Sequence, residues 1–196
     1  MMDLSGSMLL TEERRERMQR YIQLPDRARC LTAGLMLRAV FGSDKAQRII
    51  TTPLGKPYLP DGQCFNISHS GDKVVLLVAD CDAGVDVEQI CPYPRAVARR
   101  VFTSVEQEWL QNQKNDAAFY RLWTGKESIM KALGVGFRLP PESFEILPEE
   151  SGPNSVMGRS WFLQWQQLDG HMLCCASCVP DEKVKLIFLS KKELLT

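Results

Sequence analysis

Residues 84–88 read GVDVE, and their strict alternation of apolar and acidic residues is typical of a β-strand. Successive side chains of a strand point to opposite faces, so we expect Val85 and Val87 on one face and Asp86 and Glu88 on the other. Two acids in this arrangement lie about 6.5–7 Å apart at the backbone, and their side chains can converge on one ion. A hard cation such as Mg²⁺ prefers carboxylate ligands of this kind. Taken alone, the same pattern is equally typical of a solvated acidic face.

Residues 117–133, which include WTGKESIMK at 123–131, have the apolar period of a helix, and a glycine follows them. In this helix Glu127 lies one turn before Lys131, and both lie along the margin of the apolar stripe, where they could border a cleft. Lys126 falls near the middle of the stripe, so its amine must reach solvent, pair with an acid or bind an anion. An ordinary surface ion pair, worth only about 0.3–0.5 kcal/mol, would explain Glu127 and Lys131 but explains Lys126 badly.

A third group of polar residues precedes both of these segments in the chain, at residues 55–57 (GKP) and 65–71 (FNISHSG). Lys56 is expected on a turn, and Ser68 and His69 at the end of a strand where a glycine reverses the chain. An amine, a hydroxyl, an imidazole and turn amides are suitable donors for a pyrophosphate. Neighbours on a strand point in opposite directions, so the Ser-His pair argues against a serine hydrolase.

The order of elements along the chain is helices followed by strands, and it occurs twice. We expect helices over residues 11–21, 28–41, 103–113 and 117–133, extended segments over 48–52, 64–67, 74–80 and 84–90, strands near 144–147, 161–168, 172–179 and 184–189, and a loop over 149–159. A proline-containing stretch near the midpoint divides this order. The pattern therefore predicts an α+β protein of two similar halves, residues 1–92 and 93–196, with a ligand cleft between them.

Composition limits the possible functions and the possible surroundings. Of 196 residues, 44% are apolar and 24% charged, which is typical of a globular domain. The basic residues (Lys and Arg) and the acidic residues (Asp and Glu) each number 24. The sequence has no basic stripe of the kind that would indicate a nucleic-acid partner. No long apolar run or leader predicts a membrane span or a secretion signal. The seven cysteines lie mainly in apolar surroundings, which favours a reduced, cytoplasmic compartment over a disulfide framework.

Taken together, these motifs resemble those of the 4′-phosphopantetheinyl transferases of the larger, monomeric, surfactin-synthetase-activating type. The shared features are a Gly-Lys-Pro turn, an Asn-x-Ser-His segment, a Gly-hydrophobe-Asp-hydrophobe-Glu strand and a Trp-x-x-Lys-Glu-x-x-x-Lys helix. All four occur here in the family's order, from residue 55 to residue 131. The resemblance implies an α+β fold in which two halves, each with helices and a three-stranded sheet, are related by a pseudo-twofold duplication.

The resemblance also implies an activity and its partners. Such an enzyme transfers the 4′-phosphopantetheine arm of coenzyme A to a serine of an apo acyl or peptidyl carrier protein and releases 3′,5′-ADP. It requires Mg²⁺, acts as a monomer and binds neither nucleic acid nor membrane. The N-terminal half would bind the coenzyme, and the C-terminal half would supply the metal and base helix and face the carrier protein.

Individual roles follow from the same resemblance. Asp86, Glu88 and Glu127 would ligate Mg²⁺, Glu127 would also be the base for the serine hydroxyl, and Lys131 would contact the transferring phosphate. The residues implied to bind the coenzyme are Arg14, Arg17, Lys56, Asn66, Ser68, His69, Asp86 and Lys131. On the second helix, Cys30 and Thr32 are alternative contacts.

Two other functions remain compatible with the same residues. Another Mg²⁺-dependent enzyme acting on phosphate esters would use the same acids but would need no carrier protein. A non-catalytic module that binds coenzyme A or a carrier protein would need neither metal nor base. The charged residues at 12–17 (EERRER) are themselves compatible with a solvated helix face.

Overall fold

The structure is a computed structural model that describes residues 5–60, 62–148, 152–180 and 184–195. Helices and antiparallel strands both contribute to the fold, which confirms the α+β prediction. The α-helices in the described residues are α1 (Glu12–Arg20), α2 (Leu24–Phe41), α3 (Ser43–Gln47), α4 (Arg95–Val101), α5 (Ser104–Gln111), α6 (Ala117–Leu133) and α7 (Lys191–Leu195). The strands are β1 (Ile50–Thr51), β2 (Pro57–Tyr58), β3 (Cys64–Ser70), β4 (Lys73–Ala79), β5 (Ala83–Gln89), β6 (Asn154–Val156), β7 (Arg159–Leu168) and β8 (His171–Ser177). Short 3₁₀ helices cover Ser5–Leu9, Gly136–Arg138 and Pro141–Ser143.

Helices α5 and α6 have local signals in the sequence that define their ends. Thr103 and Glu106 form a capping box at the start of α5, in which each side chain accepts the other residue's backbone N–H. Helix α6 has the bounds that its periodicity predicts, because Gly134 takes a left-handed conformation with φ of 70° and ends it. The helices predicted over 103–113 and 117–133 are therefore both present, the first with the shorter bounds Ser104–Gln111.

Strand β5, which contains GVDVE, lies at the centre of the molecule. It pairs antiparallel with β8, and β8, β7 and β6 continue the sheet in that order. Val85 and Val87 are 2% and 1% exposed on the face that packs with Leu173 and Cys175. The acidic residues of β5 therefore lie on the opposite face, as the alternation predicts.

Helix α6 packs across that opposite face, and Gly84 permits the close approach. A Cβ atom at Gly84 would lie 2.1 Å from the Ser128 carbonyl oxygen and 2.5 Å from the Ala132 backbone nitrogen. Those are helix backbone atoms, which cannot rotate away as a side chain could. A glycine before Asp86 thus allows α6 to bring Glu127 and Lys131 over the acidic face of β5.

Strand β3 runs beside the other edge of β5, but polar side chains connect the two strands. The Asn66 Oδ1 atom accepts the N–H of Val85 at 3.0 Å, and the Ser68 Oγ atom accepts that of Val87 at 3.3 Å. Ser70 Oγ accepts the next alternate N–H, that of residue 89, at 3.1 Å. We call these three contacts the side-chain ladder.

The ladder changes the expected sheet arrangement. A three-stranded sheet in each half was expected, whereas backbone hydrogen bonds give the β3–β4 hairpin, the β1–β2 pair and the four-stranded sheet. The expected arrangement is wrong because Asn66, Ser68 and Ser70 insert their oxygens between β3 and β5. Strand β5 instead joins the strands of the second half through β8.

Two predicted strands are also wrong. Residues 144–147 form no strand, because the Ile146 N–H donates to the buried Glu106 carboxylate at 2.8 Å and the Phe144 carbonyl accepts from Lys126. Residues 184–189 form no strand either, and Ile187 and Phe188 are 69% and 76% exposed. Phe144 and Ile146 are buried in the core cluster that also contains residues of α6 and β7, whereas Ile187 and Phe188 face solvent.

The sequence pattern also omitted several short elements. Strand β6 lies within the loop expected over 149–159, of which residues 149–151 lie outside the described residues. The short helices α3, α4 and α7 were not expected. Helix α7 packs against α2, where Leu194 joins the apolar cluster that contains Leu31 and Leu35. The division at residues 92 and 93 stays a prediction, and none of the described helices is long and apolar enough to cross a membrane.

Candidate active site

A cleft of about 300 Å³ lies where α1, α2 and the end of β3 meet β5 and α6. It has an acidic side, from β5 and α6, and a basic side, from α1. Its lining residues are Arg14, Arg17, Tyr21, Cys30, Ala33, Gly55, Pro57, Ile67, Ser68, His69, Asp86, Glu88, Glu127 and Lys131. The structure thus brings together residues from distant parts of the sequence.

Asp86 is the most deeply buried acid of the cleft, at 2% exposure. Its Oδ1 atom lies 2.5 Å from the Lys131 Nζ atom and accepts the Ser68 hydroxyl at 2.7 Å. Burial raises the pKa of Asp86, whereas Lys131 and the hydroxyl oppose that rise. The Oδ2 atom is buried and has no hydrogen-bond partner among the described residues. A buried carboxylate oxygen without a donor is a position where a cation could bind.

Glu88 lies two residues along β5 and points into the same cleft. Its Oε2 atom accepts the Ser70 hydroxyl at 2.6 Å. Burial raises the pKa of Glu88, and hydrogen bonds from Ser70 and from the Trp123 side chain counteract that rise. The hydroxyl of Ser70 on β3 therefore holds one oxygen of this carboxylate.

Glu127 extends from α6 into the cleft toward the other two acids. Burial, and then the charge of Asp86, raise the pKa of Glu127 to about 7, while Lys131 opposes the shift. A carboxylate with this pKa is a stronger base than an exposed one, and it can exchange a proton near neutral pH. No hydrogen bond within the described residues occupies its oxygens.

The sequence-predicted Lys131 and Ser68 lie at the centre of a short network. The Lys131 amine donates to the Ser68 hydroxyl at 2.8 Å and to Asp86. This cation partly neutralises the acids, and its partial exposure of 28% leaves it accessible to an anion. The arrangement can bind a phosphate next to the acids if a cation balances their charge.

Lys56 and Asn66 do not line the cleft. The Lys56 amine donates to the Ala132 carbonyl at the end of α6, at 2.6 Å, while its neighbours Gly55 and Pro57 do line the cleft. The Asn66 side chain is buried and belongs to the side-chain ladder. Coenzyme contacts by these two side chains stay predictions.

Arg14, Arg17 and His69 do line the same cleft as the acids. Arg14 is half-buried, and burial lowers the pKa of its guanidinium. Cys30 lines the cleft as well, whereas the alternative contact, Thr32, does not. The charged helix α1 thus has one side that faces the cleft and is not only a solvated surface.

Lys126 is fully buried and lies outside the cleft. Its amine pairs with Glu106 at 2.8 Å and donates to the carbonyls of Pro141, at 2.7 Å, and Phe144, at 2.5 Å. Burial lowers the pKa of Lys126, whereas Glu106 opposes that shift. Of the alternatives left by the sequence, pairing with an acid is the one observed.

Ser70 and Trp123 are the contacts of the cleft acids that sequence reasoning did not select. Ser70 directly follows the Ser-His pair, and its alternation with Ser68 on β3 is the signal that could have identified it. Trp123 lies one helical turn before Glu127, on the apolar stripe. Nothing in that stripe distinguishes it from a core aromatic.

The acids of the cleft are the side chains that could hold the predicted Mg²⁺ ion. No group of three His, Cys, Asp or Glu side chains within the described ranges forms a ready-made metal cage. Mg²⁺, however, usually binds one or two protein carboxylates together with waters and substrate phosphates. Asp86, with its unpartnered buried oxygen, and the nearby Glu127 fit that requirement.

Comparisons with known proteins agree on one family. The profile of the 4′-phosphopantetheinyl transferase superfamily matches residues 82–179. The 4′-phosphopantetheinyl transferase Sfp of Bacillus subtilis (strain 168) is 30% identical over 95% of this chain and 90% of its own length. The 4′-phosphopantetheinyl transferase ffp of Bacillus subtilis is 31% identical over the same shares. An L-aminoadipate-semialdehyde dehydrogenase-phosphopantetheinyl transferase of Xenopus laevis is 34% identical over 69% of this chain and 54% of its own length.

Proposed function

The chain belongs to the 4′-phosphopantetheinyl transferase superfamily, and on that premise we propose that it transfers the 4′-phosphopantetheine arm of coenzyme A to a serine of an apo carrier protein. Two relatives that are named for that activity match this chain over 90% of their own length. The observation that carries the proposal is the cleft in which Asp86, ion-paired with Lys131, faces Glu127. The two other functions considered from the sequence have no comparable support.

The proposed reaction is a single displacement at phosphorus. The carrier serine oxygen bonds to the phosphorus that bears pantetheine, the bond from that phosphorus to the bridging oxygen breaks, and 3′,5′-ADP leaves with the electron pair. The serine proton passes to a carboxylate oxygen of Glu127. A base is needed because a serine hydroxyl is a weak nucleophile until its proton is accepted.

Mg²⁺ is proposed as the cation, with Asp86, Glu88 and Glu127 as its protein ligands. When bound, it would neutralise the coenzyme pyrophosphate and orient it. Metal binding would lower the basicity of Glu127, so Asp86 and Glu88 would need to provide most of the ligation if Glu127 is the base. Lys131 is proposed to contact the transferring phosphate, since its amine already lies 2.5 Å from Asp86 Oδ1.

The remaining coenzyme contacts are proposed along the basic side of the cleft. Arg14 and Arg17 would bind the 3′-phosphate, because guanidinium groups match phosphate geometry and these two line the cleft. Ser68 and His69 would line the coenzyme near the pyrophosphate. Lys56 would contact the coenzyme only if its amine leaves the Ala132 carbonyl at the end of α6. Asn66 would contribute only indirectly, through the β5 backbone that it positions.

We also propose that the molecule has two related halves, a cytoplasmic setting and a monomeric state. Two halves related by a pseudo-twofold duplication are supported by helix packing, since α2 packs on β4 in the first half and α6 packs on β8 in the second. A cytoplasmic setting is supported by the seven cysteines, all described, none of which forms a disulfide. A monomer that binds neither nucleic acid nor membrane is proposed from the family type and from the balanced charge.

A transfer assay tests the proposed function. The protein is mixed with coenzyme A, Mg²⁺ and an apo carrier protein, and the carrier is weighed by mass spectrometry. We expect the mass of one phosphopantetheine to be added, and we expect Glu127→Gln to reduce the rate by about 10²–10⁴-fold. Carriers from fatty-acid, polyketide and peptide systems are compared, with Glu193→Gln, an exposed acid outside the cleft, as the matched control. No mass gain on any carrier would contradict the proposal.

A further inference from the structure

Ser70 makes two hydrogen bonds that together determine the direction of its hydroxyl hydrogen. Its Oγ atom accepts the Gln89 N–H at 3.1 Å, which uses an oxygen lone pair. The same atom lies 2.6 Å from Glu88 Oε2. A hydroxyl has one hydrogen, and a carboxylate can only accept, so that hydrogen points at Glu88. The backbone of β5 thus orients Ser70, and Ser70 orients the glutamate.

Ser68 has the same arrangement two residues earlier. Its Oγ atom accepts the N–H of Val87 and donates to Asp86, the acid that precedes Val87 in β5. Each serine therefore bridges the backbones of β3 and β5 and aims the carboxylate of the preceding β5 residue. The repetition aims both strand acids into one cleft from one neighbouring strand.

Glu88 needs such a contact more than Asp86 does. Asp86 is 2% exposed and also bound by Lys131, whereas Glu88 has a longer side chain and lies near the open end of the strand. A glutamate without a fixed donor loses the conformational entropy of three torsions when it binds a cation. A hydroxyl that fixes the carboxylate beforehand removes part of that cost.

We propose that Ser70 is a positioning residue that holds the Glu88 carboxylate in the orientation in which it binds the catalytic cation. This inference rests on the proposed function, because it concerns the same metal site. Ser70 does not itself line the cleft and is not assigned contact with coenzyme, carrier or metal. Its effect is exerted through Glu88 alone.

Ser70→Thr and Ser70→Val test this role as a matched pair. Threonine and valine have nearly the same shape and are equally suited to a strand, so the pair differs only in the hydroxyl. We expect Ser70→Thr to bind Mn²⁺, used as a probe for Mg²⁺, like the parent protein in calorimetry. Ser70→Val should bind it about 10- to 100-fold more weakly, which is the usual effect of removing a hydrogen-bond partner from a metal ligand.

A second readout separates positioning from a structural defect. The Mg²⁺ concentration for half-maximal transfer should rise in Ser70→Val, while the rate at saturating Mg²⁺ should change much less. Ser190→Ala is the control, because Ser190 also donates to a glutamate at 2.6 Å, at an exposed position just before α7 and outside the cleft. It should bind Mn²⁺ like the parent.

Three outcomes would overturn the inference, and they can be distinguished. Mn²⁺ binding by both the threonine and the valine variants that is as tight as that of the parent would exclude the Ser70 role alone. Equal weakening in both variants would show that the hydroxyl is not the relevant group. Absence of Mn²⁺ binding by a parent protein that still transfers phosphopantetheine would contradict the metal site and the Ser70 role but not the transfer.

Discussion

At the scale of single residues, Glu127 has the property that the proposed chemistry most requires. Its carboxylate lies in a partly buried cleft, near the negative charge of Asp86, and its pKa is raised to about 7. A group with this pKa can accept a proton from a serine near neutral pH and then release it. Lys131 limits the shift, so the base remains available at physiological pH.

The same raised pKa has a consequence for stability. In the unfolded chain a glutamate ionises near its usual value of 4.5, whereas in the folded, metal-free protein it ionises near 7. The folded state therefore binds the proton more tightly. The stabilisation is fully present below pH 4.5 and is lost as the pH rises through 7.

We therefore expect the Tm of the metal-free protein to fall relative to that of Glu127→Gln between pH 5 and pH 8. The amide of glutamine has no proton to lose, so the difference between the two proteins isolates Glu127. Differential scanning calorimetry in the presence of a chelator measures it. A parent Tm that stays constant or rises relative to that of Glu127→Gln over this range would show that Glu127 is not held in its neutral form.

At the scale of elements, the sequence predicts helices and strands whose signals lie within the segment, and it does not predict those that depend on side chains distant in the chain. Helix α6 was predicted with its bounds because its period and the glycine after it are local signals. Residues 144–147 were assigned to a strand because their apolar pattern resembles one. The side chains of Glu106 and Lys126, far along the chain, bind that segment's backbone instead. No local pattern contains this information.

The contact of α6 with β5 depends on Gly84. We expect Gly84→Ala to destabilise the protein by several kcal/mol, because the new methyl group would meet helix backbone at 2.1 Å. Gly125→Ala is the control within α6, since its methyl group would meet side chains rather than backbone, the nearest atom being Ile146 Cδ1 at 2.5 Å. Urea unfolding compares the two, and a Gly84→Ala protein as stable as Gly125→Ala would contradict the packing.

The buried pair of Glu106 and Lys126 anchors the segment that follows α6. We expect Lys126→Met to cost about 3–5 kcal/mol of unfolding free energy, since it leaves the Glu106 charge buried without a partner. Adding Glu106→Gln to that variant should restore part of the loss, because the uncompensated charge is then removed. Chemical denaturation measures all three proteins. Equal or greater instability of the double variant would indicate that the charge pair is not the cause.

At the scale of the whole molecule, the cleft exists because distant segments meet there. Alternation and helical period drew attention to Asp86, Glu88, Glu127 and Lys131, the family resemblance implied their roles, and the structure brings them to one cleft. Their meeting depends on Gly84 and on the side-chain ladder, which are tertiary features. Lys56 and Asn66 were selected with them, but their side chains contact the protein backbone. For these two residues the sequence predicted a polar side chain near the cleft but not the backbone group that it binds.

The order of strands was the least predictable feature at this scale. Strand β5 pairs with β8, nearly ninety residues later, and α7 returns from the end of the described chain to α2. Neither pairing has a signature in sequence spacing. Both connect the N-terminal and C-terminal parts, and they hold the acidic and basic sides of the cleft in a defined relation.

The most direct test of the central claim, that the cleft binds coenzyme A and Mg²⁺ for transfer, is a crystal structure of the protein with both. We expect a Mg²⁺ ion with oxygens of Asp86 and of Glu88 or Glu127 at about 2.0–2.1 Å. The coenzyme pyrophosphate should complete its coordination, with Lys131 beside the phosphate attached to pantetheine and Arg14 toward the 3′-phosphate. Coenzyme A bound outside this cleft, or a Mg²⁺ ion held without Asp86, would contradict the account.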